Sequence, residues 1–390
     1  VTAIHDRQAP SLDPWRTPER QALRASARRF TEREVLPHLA DWEDAGLVPR
    51  ELHVAASKAG LLGIGFPEEV GGQGGERIDA LVVAEEMIVA GGSSGLSSAL
   101  FTHGIALPHM VAAADPRQIE RYVRPTLAGE KIGSLAITEP DAGSDVANLR
   151  TRAVRDGDEF VVDGAKMYIT SGVRADFVTT AVRTGGPGAH GISLLVIDKG
   201  TRGFTVSAPL RKMGWQCSDT AALSFDGCRV PAANLIGPAD TGFGQIMTQF
   251  ASERLGLAVQ AVATAQRCLD LTLRWIGERE TFGRPLATRQ VVRHKVVEMA
   301  RQVDVARTYT RAVVDQWLRG EDVWQQLAFA KNTAVAACDA VVDEAVQLHG
   351  GMGYLRESEV ERHYRDSRIL GIGGGTTEIM NEIVAKLLIG

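Results

Sequence analysis

No apolar run in the chain reaches the ~18–20 residues that a membrane helix needs, and its N-terminus carries no secretory pattern. Cysteine is scarce: Cys217, Cys228, Cys268 and Cys338 are scattered, with no CxxC pair. That spacing argues against a zinc site or a disulfide framework and leads us to expect a reducing cytoplasm. A strong excess of either charge is also missing, since 48 acidic and 43 basic residues leave a formal charge of -5. Such a balance gives no footprint for nucleic acid or an anionic membrane. There is no internal repeat or low-complexity segment. What remains is the composition of a soluble globular protein, spread over 390 residues. That is too long for one ordinary core and suggests two or three domains.

Three zones follow one another. From Thr17 to about Gly129 the chain reads as helical. In "TPERQALRASARRF", Thr17 is an N-cap, Pro18 takes the first helical position, and Leu23, Ala27 and Phe30 share a face. "GFPEEVGGQGG" (Gly65 to Gly75) is a turn-rich break. From Lys131 to about Gly237, short β-branched and aromatic runs alternate with turn signals, including Asp156-Gly157 and Asp163-Gly164, as in antiparallel hairpins. Beyond Gly242 longer helices return. Val292, Val296, Met299, Val303, Ala306, Thr310, Val313 and Trp317 form a stripe of bundle type, and a second helix covers roughly Trp324 to Leu348. We expect an α+β protein: an N-terminal helical domain (1–130), a middle antiparallel β domain (131–240) and a C-terminal helical domain (241–390). Strands do not alternate with helices, which argues against a doubly wound sheet.

Four stretches could carry chemistry. In "SLAITEPDAGSDVA" an apolar strand ends at Thr138 and runs into a turn bearing Ser144 and Asp145. Its successive N–H groups could form a phosphate nest, although an ordinary solvated turn has the same composition. In "KMYITSG", Tyr168 could lie against a flat ring, with Ile169 and Thr170 at its edge, or could simply be packed. Glu253, in "QIMTQFASERLGLAVQ", has Gln249, Phe250, Gly256 and Leu257 as helical neighbours, none a cation. Arg254 points about 100° round the helix and cannot pair with it on the same face. A carboxylate on a largely apolar face is costly to bury unless it is paired or useful, so that face is either rimmed by solvent or functional. "RETFGRPLATRQ" and "QLHGGMGY", read alone, are helix ends with glycine.

Together, "GFPEEVGGQG", "ITEPDAGSDVANLRT", "GAKMYITSG", "GWQCSDTAALSFDGCRVPAANLIG", "ERETFGRP", "QLHGGMGY" and "GGGTTEIM" resemble the acyl-CoA dehydrogenase family. These are flavoproteins that desaturate acyl thioesters, and the resemblance spans nearly the whole chain. It implies a helical domain, a β domain and a C-terminal four-helix bundle. It implies FAD contacts from Leu135, Ala136, Ile137, Thr138 and Ser144, with Ser144 also near the bound acyl-CoA. Tyr168, Ile169 and Thr170 match a Trp-Ile-Thr segment that packs on the flavin. Arg279, Thr281, Phe282, Gln290, Gln347, Gly350 and Gly351 match residues that reach the FAD of a neighbouring subunit in a homotetramer built from dimers. Thr376 and Glu378 match the segment beside the adenosine phosphates, and Arg254 an arginine that holds the CoA portion. Asp141 stands where the family often has glycine.

One family feature is displaced. The segment that commonly reads Tyr-Glu-Gly-Thr, whose glutamate is the catalytic base, is here "GGGT", with Gly373-Gly374 in place of Tyr-Glu. A subset that includes the long-chain and isovaleryl enzymes carries its base in a helical Glu-Arg pair, which Glu253-Arg254 matches. The resemblance therefore implies Glu253 as the α-proton base, hydride transfer to the flavin, and the Gly374 N–H as a donor to the thioester oxygen. Electrons would pass to an electron-transfer flavoprotein. Burial without a cation should raise the Glu253 pKa, and a glycine at 374 should leave side-chain space for branched or bulky acyl groups. Acyl selection is expected to fall to helix residues such as Phe101, His103 and Met247. Two rivals keep the fold: an oxidase or monooxygenase that admits oxygen to the flavin, and a non-catalytic acyl-CoA- or flavin-binding protein.

Overall fold

Thr17 opens the first helix. Its hydroxyl accepts from the Arg20 N–H at 3.3 Å, and Pro18, which has no N–H to satisfy, occupies the first turn. The computed structural model describes residues 13–390. Residues 1–12, with which the expected first domain begins, lie outside the described residues. The N-terminal helices are α1 (Pro18–Phe30), α2 (Leu39–Ala45), α3 (Glu51–Lys58), α4 (Arg77–Val89) and α5 (Ser94–Leu100). Four short segments follow: α6 (His103–Ala106), α7 (Pro108–Ala113), α8 (Pro116–Gln118) and α9 (Arg124–Leu127). Ala27 and Phe30 are buried with Leu52, Met87 and Leu96 in one core.

The middle of the chain is one seven-stranded sheet. Its strands are β1 (Gly133–Ala136), β2 (Arg152–Asp156), β3 (Glu159–Thr170), β4 (Phe177–Arg183), β5 (Ile192–Asp198), β6 (Phe204–Val206) and β7 (Thr220–Pro231). The pairs β2–β3, β3–β7, β4–β5 and β6–β7 are antiparallel, as expected. β1, however, lies parallel to β4, and β2 meets the end of β4 in parallel at one residue. The long excursion through β2 and β3 supplies the crossover that a parallel pair requires. The two Asp-Gly signals part company. Asp156 pairs with Glu159 around a two-residue turn, whereas Asp163-Gly164 lies inside β3 at a bulge. Gly164 has φ +147°, and a Cβ there would sit 2.6 Å from the Thr151 Cα, so glycine here permits close backbone approach and not a turn.

The C-terminal part is built on α10 (Gly242–Glu278), α11 (Gln290–Leu318) and α12 (Trp324–His349), with the small hairpin β8 (Glu280–Thr281) and β9 (Arg284–Pro285) between the first two. The stripe from Val292 to Val313 on α11 is buried, as its spacing predicts, while Trp317 is half-buried. Val296, Met299 and Val303 share a core with Ala261 and Cys268 of α10 and Val335 and Val341 of α12. The shorter α13 (Glu359–Ser367) and α14 (Thr377–Ile389) pack on α12. Arg368–Gly371 forms a short 3-10 helix between α13 and the glycine turn. α10 also packs along α4, so its N-terminal half bridges the helical layers and faces the sheet domain.

Candidate active site

A cavity of about 1530 Å³ opens where the three regions meet. Leu135, Ile137, Thr138 and Ser144 reach it from the end of β1 and the loop beyond. Ala136, between them, is buried in the sheet core and does not line it. Phe101, His103 and Met247 are on the wall, as are Glu253 and Arg254 of α10 and the turn Gly373–Gly375 with Thr376.

β3 supplies Tyr168, Ile169 and Thr170, and it does so by breaking its own ladder. Pairing with β7 is interrupted between Lys166 and Ile169, and Tyr168 and Ser171 take φ +62° and +59°. Left-handed backbone at two non-glycine residues so close together stores strain of the kind that clusters at binding sites. Tyr168 is not packed away: it stays 64% exposed at the cavity. The loop and the bulge are tied together from below. The Met167 N–H donates to the Thr138 carbonyl at 2.8 Å. Lys166, fully buried, donates to the Ile137 carbonyl at 2.9 Å and to Glu139 Oε1 at 2.8 Å. Glu139 also accepts from the Arg150 and Thr151 N–H groups. Burial lowers the Lys166 ammonium to about 8 against the pull of Glu139. Burial pushes the Glu139 carboxyl up, but Lys166 and the N–H donors bring it below the ordinary carboxylate range. Asp141 has no left-handed φ, so the loop does not need glycine there.

Glu253 is half-buried on the cavity wall, and its carboxylate makes no hydrogen bond among the described residues. Burial raises its pKa, and the Arg254 guanidinium and Lys331 ammonium pull it only part of the way back. The expectation of a base without a cation is therefore corrected. Lys331 arrives from α12, 78 positions away in sequence and invisible to a helix-local reading. Lys331 is 1% exposed and donates to the Gly375 carbonyl at 2.5 Å. Arg254 Nε donates to the Gly374 carbonyl at 2.9 Å, and its guanidinium lies over Phe250 (5.3 Å) and Trp324 (6.0 Å). The Gly374 and Gly375 carbonyls are thus committed to cations, while the Gly374 N–H finds no acceptor among the described residues.

A Cβ at Gly374 would lie 3.6 Å from Glu253 Oε1 and 2.7 Å from Leu257 Cδ1. Two conclusions follow. The Glu253 carboxylate occupies the neighbourhood that a side chain at 374 would enter. And the empty side-chain space expected from sequence beside the glycine is blocked at its start by Leu257 Cδ1.

Arg279, Phe282, Gln290, Gln347, Gly350 and Gly351 are exposed and Thr281 half-buried, all away from the cavity. They gather at the far end of α10, where Trp275 stacks on His349 at 5.1 Å and donates to the Leu348 carbonyl. At ~1.5 Å of rise per residue, Glu253 and Arg279 stand about 40 Å apart along the helix. Glu378 is exposed in the first turn of α14, outside the cavity but two residues beyond the N-cap Thr376.

Comparison with known proteins agrees with this architecture. Family models for the N-terminal, middle and C-terminal domains of acyl-CoA dehydrogenases match residues 17–130, 134–228 and 240–389. A probable acyl-CoA dehydrogenase from Mycobacterium abscessus is 68% identical, with a TM-score of 0.95 over 96% of this chain and 100% of that one. The mitochondrial long-chain specific acyl-CoA dehydrogenase of Sus scrofa is 37% identical over 378 residues, 95% of this chain and 86% of that protein. A glutaryl-CoA dehydrogenase from Mycobacterium smegmatis, solved in complex with FADH2, is 26% identical with a TM-score of 0.90, over 97% of this chain and 96% of that one. An oxidoreductase built as three such regions is the class this site defines. The chain belongs to the acyl-CoA dehydrogenase family.

Proposed function

We propose that the protein binds FAD in this cavity and oxidises an acyl-CoA to its 2-enoyl-CoA, with Glu253 as the α-proton base. The observation that carries the reading is the placement of Glu253 Oε1 only 3.6 Å from where a Gly374 side chain would start, beside an uncommitted Gly374 N–H. The residues present suit a flavin: a bare Tyr168 ring, a strained backbone beside it, and the hydroxyls of Thr138, Thr170 and Ser144. The N-terminus of α14, opened by Thr376, adds the partial positive charge that favours phosphate. When bound, FAD supplies the one capacity the side chains lack, acceptance of the β-hydrogen as hydride.

Glu253 then takes the α-proton, the α C–H pair becomes the new C=C bond, and the Gly374 N–H donates to the thioester oxygen as charge develops there. One such donor is worth about 3 kcal/mol of barrier. A carboxylate held above its ordinary pKa is a stronger base when substrate has displaced water. Arg254 shapes the turn as well as facing the CoA side. Electrons would leave to an electron-transfer flavoprotein. The exposed group at the far end of α10 cannot touch the same cavity in one chain, so its assignment to a cofactor requires a neighbouring subunit, as in a dimer of dimers.

Glu253→Gln tests the core of this reading. It should retain FAD and acyl-CoA binding and lose nearly all anaerobic flavin reduction, since the amide has the shape and no basicity. Full reduction by that variant would remove Glu253 from the reaction. Rapid reoxidation of the reduced wild type in air would instead favour an oxidase, and a flavin that no acyl-CoA bleaches would favour a binding protein.

A further inference from the structure

Lys331 is the one ammonium on the core-facing side of α12, in company with Leu327, Ala334, Val335 and Cys338. Packing alone does not ask for a lysine there, because burying an ammonium costs far more than burying a methylene chain. Among the described residues its ammonium makes one hydrogen bond, to the Gly375 carbonyl, next to the residue whose N–H faces the developing charge in the proposed reaction. Arg254 holds the neighbouring Gly374 carbonyl from α10, so two cations from two helices pin one turn. Consecutive left-handed glycines, at φ +64° and +96°, have little intrinsic preference for that geometry and need such pinning.

We propose that Lys331 is a positioning residue for this site: it fixes the turn that presents the Gly374 N–H, and its charge offsets part of the cost of burying the Glu253 carboxylate. The inference rests on the reading of Glu253 as the base. Burial and the neighbouring Arg254 guanidinium lower the Lys331 ammonium to about 8 against the pull of Glu253. Of the other titratable groups on the cavity wall, Arg365 pairs with Glu361 at 2.6 Å and Lys386 with Glu382 at 3.6 Å, Lys212 donates to the Ser218 carbonyl and Asp145 accepts from Asn148, His103 bonds to the Leu62 carbonyl, and Arg77 lies over the Trp317 ring. Arg211 is exposed, and neither it nor Arg368 shifts Glu253. Glu253 therefore feels chiefly Arg254 and Lys331.

The test is the pH dependence of flavin reduction in the FAD-loaded enzyme at saturating acyl-CoA. Protonation of the base stops the reaction, so the rate falls on the acid side. Losing a cation favours the protonated carboxyl, which moves that limb to higher pH. Lys331→Met should displace it upward by about one unit, a rate about tenfold lower at a fixed pH on the limb. Acyl-CoA affinity should change less than twofold, ~0.4 kcal/mol. Lys331→Arg, which keeps charge and donor, should return the limb near its wild-type position. If the methionine variant does not fold, Lys331→Gln carries the same expected shift; if neither neutral variant folds, the arginine variant decides. A limb unmoved in the neutral variants, or displaced equally in the arginine variant, overturns the proposal. Glu253→Gln in parallel separates the two readings: if it still reduces flavin, the base is misassigned. If it is dead while Lys331→Met shows an unmoved limb, only the role of the lysine falls.

Discussion

In the proposed reaction Glu253 and Gly374 act as one unit, although they stand 121 positions apart in sequence. Gly374 sits at φ +64° with Leu257 Cδ1 2.7 Å from any Cβ it might carry. A side chain here meets two penalties, about 1–2 kcal/mol for left-handed backbone and the displacement of Leu257. Moving the proposed base from 253 to 374 is therefore harder than the family pattern suggests, yet the two seats converge on one region. We expect Glu253→Gly/Gly374→Glu to recover a small part of the flavin reduction lost in Glu253→Gly. Adding Leu257→Ala should raise that recovery by making room for the new Cβ. It should stay incomplete, since a misplacement of about 1 Å can cost on the order of a hundredfold. Recovery that Leu257→Ala leaves unchanged would show that this contact does not limit the second seat. Sequence reading reached the Glu253-Arg254 pair and the missing carboxylate because both lie in contiguous motifs. It missed Lys331, whose only sequence signal is a lysine on the apolar face of a core helix.

Among the elements, β3 carries most of the architecture of the site. It must stay in the sheet at both ends while releasing its middle to the cavity, and the buried Lys166–Glu139 pair braces the loop opposite the break. Removing one partner of a buried pair leaves the other charge uncompensated, typically at 3–5 kcal/mol. Lys166→Met should therefore lower stability in denaturant titrations by ~3 kcal/mol and weaken FAD retention. Lys166→Met/Glu139→Gln should lose less than Lys166→Met alone, because no unpaired carboxylate remains. Equal losses would mean that the pair's charge is unimportant and only packing was removed. This brace was not legible in "KMYITSG" or "ITEPDAG" separately, since each holds one half of it. The same limit explains the bulge at Asp163-Gly164. Asp-Gly chemistry serves a hairpin turn and a bulge alike, and only the partner strand and Thr151 decide between them. The helices were more readable: the Thr17-Pro18 start and the α11 stripe are local patterns, and local patterns survive tertiary packing. The parallel contact of β1 with β4 had no local signature at all.

At the scale of the molecule, the surface has one feature that the single chain does not explain. Phe282 is 96% exposed and Tyr354 84%, although burying such rings is worth ~2 kcal/mol or more each. Val291, Val297 and Val305 of α11 are likewise exposed, outside its core stripe. Large apolar side chains left bare in this way are what a surface covered by another protein presents. Phe282 stands in the hairpin after α10 with the Arg289 guanidinium 5.5 Å over its ring, and its backbone has φ +51°. It is therefore held outward by its own loop. If these residues complete the cofactor site of a neighbour, assembly and flavin occupancy must rise and fall together. The FAD-loaded protein should sediment well above the 41.9 kDa of one chain. Phe282→Asp should shift it toward smaller species and release FAD on dilution, while the far-ultraviolet circular dichroism stays unchanged, because no core contact of its own chain is lost. Glu253→Gln should leave assembly untouched, which separates a failure at the chemical site from a failure at the surface. A wild-type protein that sediments at the mass of one chain with full FAD occupancy would assign the exposed residues some other partner and leave the cavity complete within a single subunit.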